Sequence, residues 1–212
     1  MSGTLKSLLW FVLFLGGVVG LARAVAIRWW QVPTDDPDLA VSIAPTLNAG
    51  DWVLLWRFTT PGVGDLVLCP DPSSPGDIVI GRIAAQGGDT VRIQGGDVII
   101  NRRRLGTETS CDPSKVKVVA PGSSTPIELG CQIEILGGGT HMRLSTPRKD
   151  TDFSAEVPLG EVFLLSDDRH LPFDSRDYGT LPASNCKEQF FFRLMGDEGF
   201  WGDEGHRLTF IN

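Results

Sequence analysis

Ser42 lies in the run Ala40-Val41-Ser42-Ile43-Ala44-Pro45-Thr46-Leu47, directly after an apolar segment of membrane length. A serine hydroxyl is a poor nucleophile at neutral pH until a neighbouring base, a lysine of lowered pKa or a histidine, takes its proton. The chemistry this placement suggests is attack on an acyl carbon close to a bilayer. Pro45 restricts Ala44 to an extended backbone, which predicts a turn that exposes the Ser42 side chain. Taken alone, a serine three residues before a proline is an ordinary turn residue. The elements around it must carry the case.

The first of these elements is the apolar segment. Leu8 to Leu21 is apolar apart from its glycines, and Ala22 to Ile27 extends it with Arg23 as the only charge. At the rise of an α-helix, Leu8 to Ile27 covers roughly 30 Å, the thickness of a hydrocarbon core. Arg23 stands near the end, where it can snorkel outward, and Trp29 and Trp30 suit an interfacial belt. A cleavable secretory signal is the competing reading, with Lys6 as its basic end and Ala22-Arg23-Ala24 or Ala24-Val25-Ala26 as the small-residue site. Either reading carries the body across a membrane. Gln31 to Leu39, with two prolines and three aspartates, reads as a short solvated linker.

Beyond the linker the chain is written in short apolar runs between turn residues, the pattern of strands. Asp51–Trp56, Asp65–Leu68, Asp77–Ile80, Glu161–Leu165 and Gln189–Arg193 fit it. Asp89–Ile93 alternates, and Val98–Ile100 after Gly95-Gly96 completes a hairpin. Between Leu105 and Thr151 the sequence is polar and rich in Gly, Pro and Ser, with strands at Val116–Val119 and Gln132–Leu136. No helical stripe of useful length follows the anchor.

With 25 Gly and 14 Pro, the composition favours strands and turns. A net charge of −7 argues against a nucleic-acid partner, because the one tight basic run, Arg102-Arg103-Arg104, reads as a hairpin turn. The four cysteines, Cys69, Cys111, Cys131 and Cys186, have no CxxC spacing, so a zinc or thioredoxin-type motif is not expected. Cys111 and Cys131, which flank one stretch, are the preferred disulfide pair, with free thiols as the alternative. Gly196-Asp197-Glu198-Gly199 and Gly202-Asp203-Glu204-Gly205 repeat around Phe200-Trp201 without the ligand spacing of a calcium loop, and read as a polar loop whose aromatic pair could reach a bilayer surface.

Three segments in order resemble type I signal peptidases, serine proteases of the Ser/Lys kind anchored in membranes. Ser42–Leu47 with Gly50-Asp51 is similar to the family's nucleophile motif. Gly64-Asp65-Leu66-Val67 followed by Gly81-Arg82-Ile83-Ala84-Ala85-Gln86-Gly87-Gly88-Asp89-Thr90-Val91 is similar to its lysine-bearing segment. Ser166-Asp167-Asp168-Arg169, Asp174-Ser175-Arg176-Asp177-Tyr178-Gly179 and Leu181-Pro182 look like its last motif. The resemblance covers the chain from the anchor to about Phe192. It implies an anchor over 1–30, a linker over 31–39 and a mainly β, signal-peptidase-like domain over 40–212 on the extracytoplasmic side, with an inserted β subdomain at about 105–160. It also implies removal of signal peptides from exported precursors, without cofactor or metal.

The resemblance also shows three departures. The lysine position falls on Gly81, which has no group to accept a proton. A supporting serine falls on Pro172. The position two before the nucleophile is Ala40, leaving backbone N–H groups for an oxyanion. Lysine-dependent catalysis is therefore not expected. Some members use histidine as base, and His170, four residues before Asp174, could give a displaced Ser42-His170-Asp174 arrangement. Asp174 and Arg176 are otherwise expected to hold their loop by a salt bridge and hydrogen bonds, with Arg82 structural and His141 and His206 outside any motif. Two functions follow: an endopeptidase acting through Ser42 on exported precursors, or a non-catalytic module that binds extended peptides or serves a membrane complex.

Overall fold

The computed structural model describes residues 3–145, 152–202 and 207–211. The chain opens with helix α1, Gly3–Ala26. Within it Lys6–Ala26, 21 residues with a mean hydropathy of 2.1, is long and apolar enough to cross a membrane. The helix runs directly into strand β1, Ile27–Gln31. A six-residue helix α2, Pro37–Ser42, follows, and then β2, Trp52–Trp56.

The remaining strands are β3 (Leu66–Pro70), β4 (Ile78–Gln86), β5 (Thr90–Gln94), β6 (Asp97–Ile100), β7 (Arg103–Arg104), β8 (Gly106–Val119), β9 (Pro126–Leu136), β10 (Gly139–Ser145), β11 (Phe153–Glu156), β12 (Glu161–Leu165), β13 (Leu181–Pro182), β14 (Glu188–Met195) and β15 (Thr209–Phe210). Besides α1 and α2 the described residues hold one further short helix, α3 (Ser175–Tyr178), and a 3-10 turn at Ala183–Asn185. The body is mainly β, and every strand expected from the sequence lies within one of these elements or overlaps it.

The strands form three sheets. The largest has the order β1-β2-β14-β3-β4-β12-β13, with β15 added to β14. All its pairings are antiparallel. A four-stranded sheet, β11-β5-β6-β7, and a three-stranded sheet, β10-β9-β8, hold the residues of the insertion and its approach. Apolar alternation explains β5, where Val91 and Ile93 are buried and Thr90, Arg92 and Gln94 are exposed. The arginine run does sit at a turn, because Asn101 and Arg102 adopt positive φ between β6 and β7.

Cys111 pairs with Cys131, clamping β8 to β9, and Cys69 pairs with Cys186, joining β3 to the segment after the 3-10 turn. The β9–β10 turn is built on glycine for a reason of space. A Cβ at Gly137 would lie 1.7 Å from the Val63 carbonyl oxygen, so the hairpin tip docks backbone to backbone on the loop before β3.

The stretch between β1 and β2 is tied to the core. Val32 and Leu39 are buried in one cluster with Ile43, Leu47, Val53, Leu55, Ile80 and Phe190. The two tryptophans separate: Trp30 packs edge-on against Phe190 at 5.7 Å, while Trp29 is 67% exposed. The second acidic repeat, from Asp203 to Gly205, and His206 lie outside the described residues.

Candidate functional site

Ser42 is the last residue of α2. Asp36 caps the helix, accepting from the Leu39 N–H at 3.0 Å, and Pro37 fills the first turn, where its missing N–H costs nothing. The expected exposed turn is instead a buried one: Ser42 is 0% exposed and its Oγ donates to the Leu39 carbonyl at 2.8 Å. The helix stops at Ser42, three residues before Pro45, and Leu39, Ile43 and Leu47, apolar at helical spacing, draw the turn into the core. The N–H of Ala40 is also engaged, donating to the Asp36 carbonyl at 3.1 Å.

The segment after β12 lies beside this turn. Asp168 donates its N–H to the Ser42 carbonyl at 2.9 Å. Asp167 accepts Thr46 Oγ1 at 2.5 Å and receives Arg82 from β4 in bidentate form, Nε at 3.0 Å and Nη2 at 2.8 Å. Arg82 also donates to the Gly64 carbonyl at 2.7 Å. Both Arg82 and Asp167 are fully buried. Burial alone would raise the Asp167 pKa. The Arg82 charge, with smaller help from His141 and from the Arg82 and Thr46 hydrogen bonds, overcomes it and holds the carboxyl down at about 2.

Behind Asp167 stands a second buried carboxylate. Glu134 on β9 accepts Arg169 Nη2 at 2.6 Å, and His141 on β10 places Nε2 3.3 Å from Glu134 and 3.6 Å from Asp167. Burial again works against ionisation of Glu134, but Arg169, His141 and Arg143 prevail and bring it to about 2. His141 and Glu134 belong to no sequence motif. Hairpin register could have found them, since a turn at Gly137-Gly138 pairs 136 with 139 and therefore 134 with 141.

The other site residues fall on the same loop. Asp174 is buried and accepts Arg176 Nε at 2.9 Å, Arg176 Nη2 at 2.8 Å, and the N–H groups of Arg176 and Ser166 at 3.0 Å each. The salt bridge and hydrogen bonds read from the sequence for this pair are present, and Asp174 also caps α3 in a reciprocal box with Asp177. His170 is half-buried, its N–H held by Asp168 Oδ1 at 2.8 Å. Burial raises the Asp168 pKa against the pull of those loop N–H groups, and its Oδ2 has no hydrogen-bond partner among the described residues.

Gly81 precedes Arg82 on β4 and pairs with Val67 of β3. A Cβ there would meet Leu164 Cβ at 2.9 Å, so a neighbouring leucine already fills the space a side chain would enter. The structure therefore brings the Ser42 turn, β4 and the 166–176 loop into one bonded cluster, and the ion pair that locks it is Arg82–Asp167. Among the described residues no group of His, Cys, Asp and Glu is placed to hold a metal ion.

A family model described as signal peptidase, peptidase S26, matches residues 5–195. Signal peptidase I V of Bacillus subtilis is 25% identical over 81% of this chain and 91% of its own length. A probable signal peptidase I-1 of Synechocystis is 24% identical over 92% of this chain and 86% of its own. A solved signal peptidase I from Enterococcus faecalis aligns with a TM-score of 0.41 at 19% identity, over 62% of this chain and 97% of that one.

Proposed function

This chain belongs to the signal peptidase family, peptidase S26, and on that premise we propose that it acts at a membrane face on the signal-peptide segment of exported precursors, with Ser42 as nucleophile. The observation that carries this reading is the bonded cluster that unites the Ser42 turn, β4 and the 166–176 loop, the three segments of the resemblance. In the reaction Ser42 Oγ adds to the scissile carbonyl carbon while a base takes its proton. The C–N bond then breaks, the proton passes to the leaving amine, and water hydrolyses the acyl ester. With Gly81 on the strand that elsewhere carries lysine, the base in this proposal is His170, on the loop whose next backbone group but one, the Asp168 N–H, holds the Ser42 carbonyl. Asp174, committed to Arg176, acts as support of the loop.

Three observations support the membrane setting. The α1 segment suits a single span. Trp29, Trp56 and Phe210 are exposed on strands of the sheet that α1 enters, giving it aromatic surface of the kind found at lipid boundaries. Two disulfides suit an oxidising, extracytoplasmic compartment.

The test is cleavage of a precursor with a small-x-small site by the full chain in lipid vesicles. Turnover lost in Ser42→Ala and in His170→Ala is expected; turnover equal to the Ser42→Ala control rejects the enzyme. The burial of Ser42 and its bond to Leu39 favour a second reading, a non-catalytic module that binds extended peptides in a membrane complex. Co-purification with an unprocessed partner, unchanged by Ser42→Ala, supports that alternative.

A further inference from the structure

Strand β4 is paired differently along its two halves. Ile78 to Arg82 pair with β3, whereas β12 meets β4 only from Arg82 to Gln86. Past Leu165 the chain leaves β4 and turns toward Ser42, where Asp168 binds the Ser42 carbonyl. On that side no strand among the described residues continues the pairing along Ile78–Gly81, and α2 is the element packed against β4, with Leu39 and Ile80 in one core cluster. The same helix buries the Ser42 side chain and holds its hydroxyl on Leu39.

We propose that α2 is a self-occluding segment: residues 36–42 cover the open edge of β4 and sequester Ser42, and an extended peptide releases both by displacing them. This rests on the reading of Ser42 as the nucleophile of a peptidase that takes extended precursor segments. A helix of six residues is far below the length, roughly 12 to 15 residues, at which a helix holds itself together in water. What keeps α2 wound is the Asp36 cap, Pro37 in the first turn and Leu39 in the core. The cap and Pro37 act within one turn, and Leu39 is the one α2 side chain in its core cluster, so a competitor has few contacts to displace. An extended peptide laid along Ile78–Gly81 offers main-chain hydrogen bonds that α2 cannot, because the backbone groups of α2 are turned inward on its own helix. Unwinding the last turn separates Ser42 Oγ from the Leu39 carbonyl, so edge occupancy and nucleophile exposure become one event. Ser42 is then silent until a substrate of the right shape is present.

All four cysteines are disulfide-bonded, so a thiol introduced by Ser42→Cys can be followed by maleimide labelling without interference. The measurement is made on the full chain in vesicles, with and without a synthetic peptide carrying an Ala-x-Ala segment. Labelling is expected to be slow alone and to accelerate at least tenfold with saturating peptide. In Ser42→Cys/Asp36→Ala it should accelerate about fivefold without peptide, the equilibrium equivalent of a lost side-chain cap. Amide exchange at Ala40, read in the wild-type chain, should rise with peptide in parallel and does not depend on either variant. Labelling and exchange that ignore both the peptide and the Asp36 variant overturn the proposal, even where Ser42-dependent cleavage is found and the peptidase reading survives. Peptide-driven labelling without any cleavage has the opposite meaning: the occlusion stands and the catalytic reading falls.

Discussion

In the frame behind the site, Arg82, Asp167, Glu134 and Arg169 are all buried, and each faces an opposite charge and accepts or donates hydrogen bonds. At Ser42, the proposed nucleophile, a hydroxyl faces a main-chain carbonyl, and the strand position that resembles the lysine site is Gly81. Arg82 and Gly81 are neighbours on β4. One anchors the most enclosed ion pair among the described residues, and the other contributes no side chain. The contrast is between a charged frame held by paired side chains and a hydroxyl held by the carbonyl of its own helix. A buried ion pair resists loss because removing one partner strands the other in a medium of low dielectric.

The largest expected effect lies in that frame. Arg82→Ala should destabilise the fold by about 3–5 kcal/mol, since Asp167 is left charged and unpaired in the core. Denaturant titration checks it, and a loss below about 1 kcal/mol would mean the pair behaves like a surface bridge. Acid should attack the same frame. Asp167 and Glu134 sit at about 2 when folded, below the roughly 3.9 and 4.3 of unfolded chains. A depressed carboxylate stabilises above its unfolded value and loses that contribution as pH falls through the folded one. Stability should therefore hold above about pH 5 and drop by a few kcal/mol on the way to about pH 2, with Glu134→Gln flattening the slope.

Gly81→Lys tests the other region. The new Cβ enters against Leu164, so a loss of about 1–3 kcal/mol is expected, relieved in part by Leu164→Ala. Cleavage by the double variant that survives His170→Ala would show that a lysine at position 81 reaches Ser42 and can take over the role proposed for His170. The smallest effect should come from Lys115→Ala. Its partner Glu128 is exposed on the outer sheet, and thermal unfolding should not resolve the change.

Much of the fold was legible because its signals are local. Strands β2, β3, β4, β12 and β14 of the large sheet are short apolar runs beside turn residues, and β5 and β6 declare their hairpin through Gly95-Gly96, whereas β1 lay in a stretch read as the end of the anchor and a linker. The site was legible only in part. Thr46 and Asp167 lie inside quoted motifs, yet nothing in their spacing says that they bond across 121 residues. The strand β8 was seen only at its end, because Gly106 to Pro113 is polar and gains its order from pairing with β9 and the Cys111–Cys131 bridge. Helix α2 was hidden in a segment rich in proline and aspartate. It exists because Asp36 and Pro37 start it and because Leu39 finds a core to enter.

By itself the sequence determined the membrane-length helix, the β character of the body, the three motifs and the absence of a lysine at position 81. These depend on residue type and spacing, which a chain carries whether or not it is folded. Only the tertiary structure decided that Ser42 is buried, that Arg82 and Asp167 close on each other, and that His141 lies between two carboxylates. Burial and ion pairing depend on distances between residues far apart in the chain, and those distances exist only once the sheets have packed.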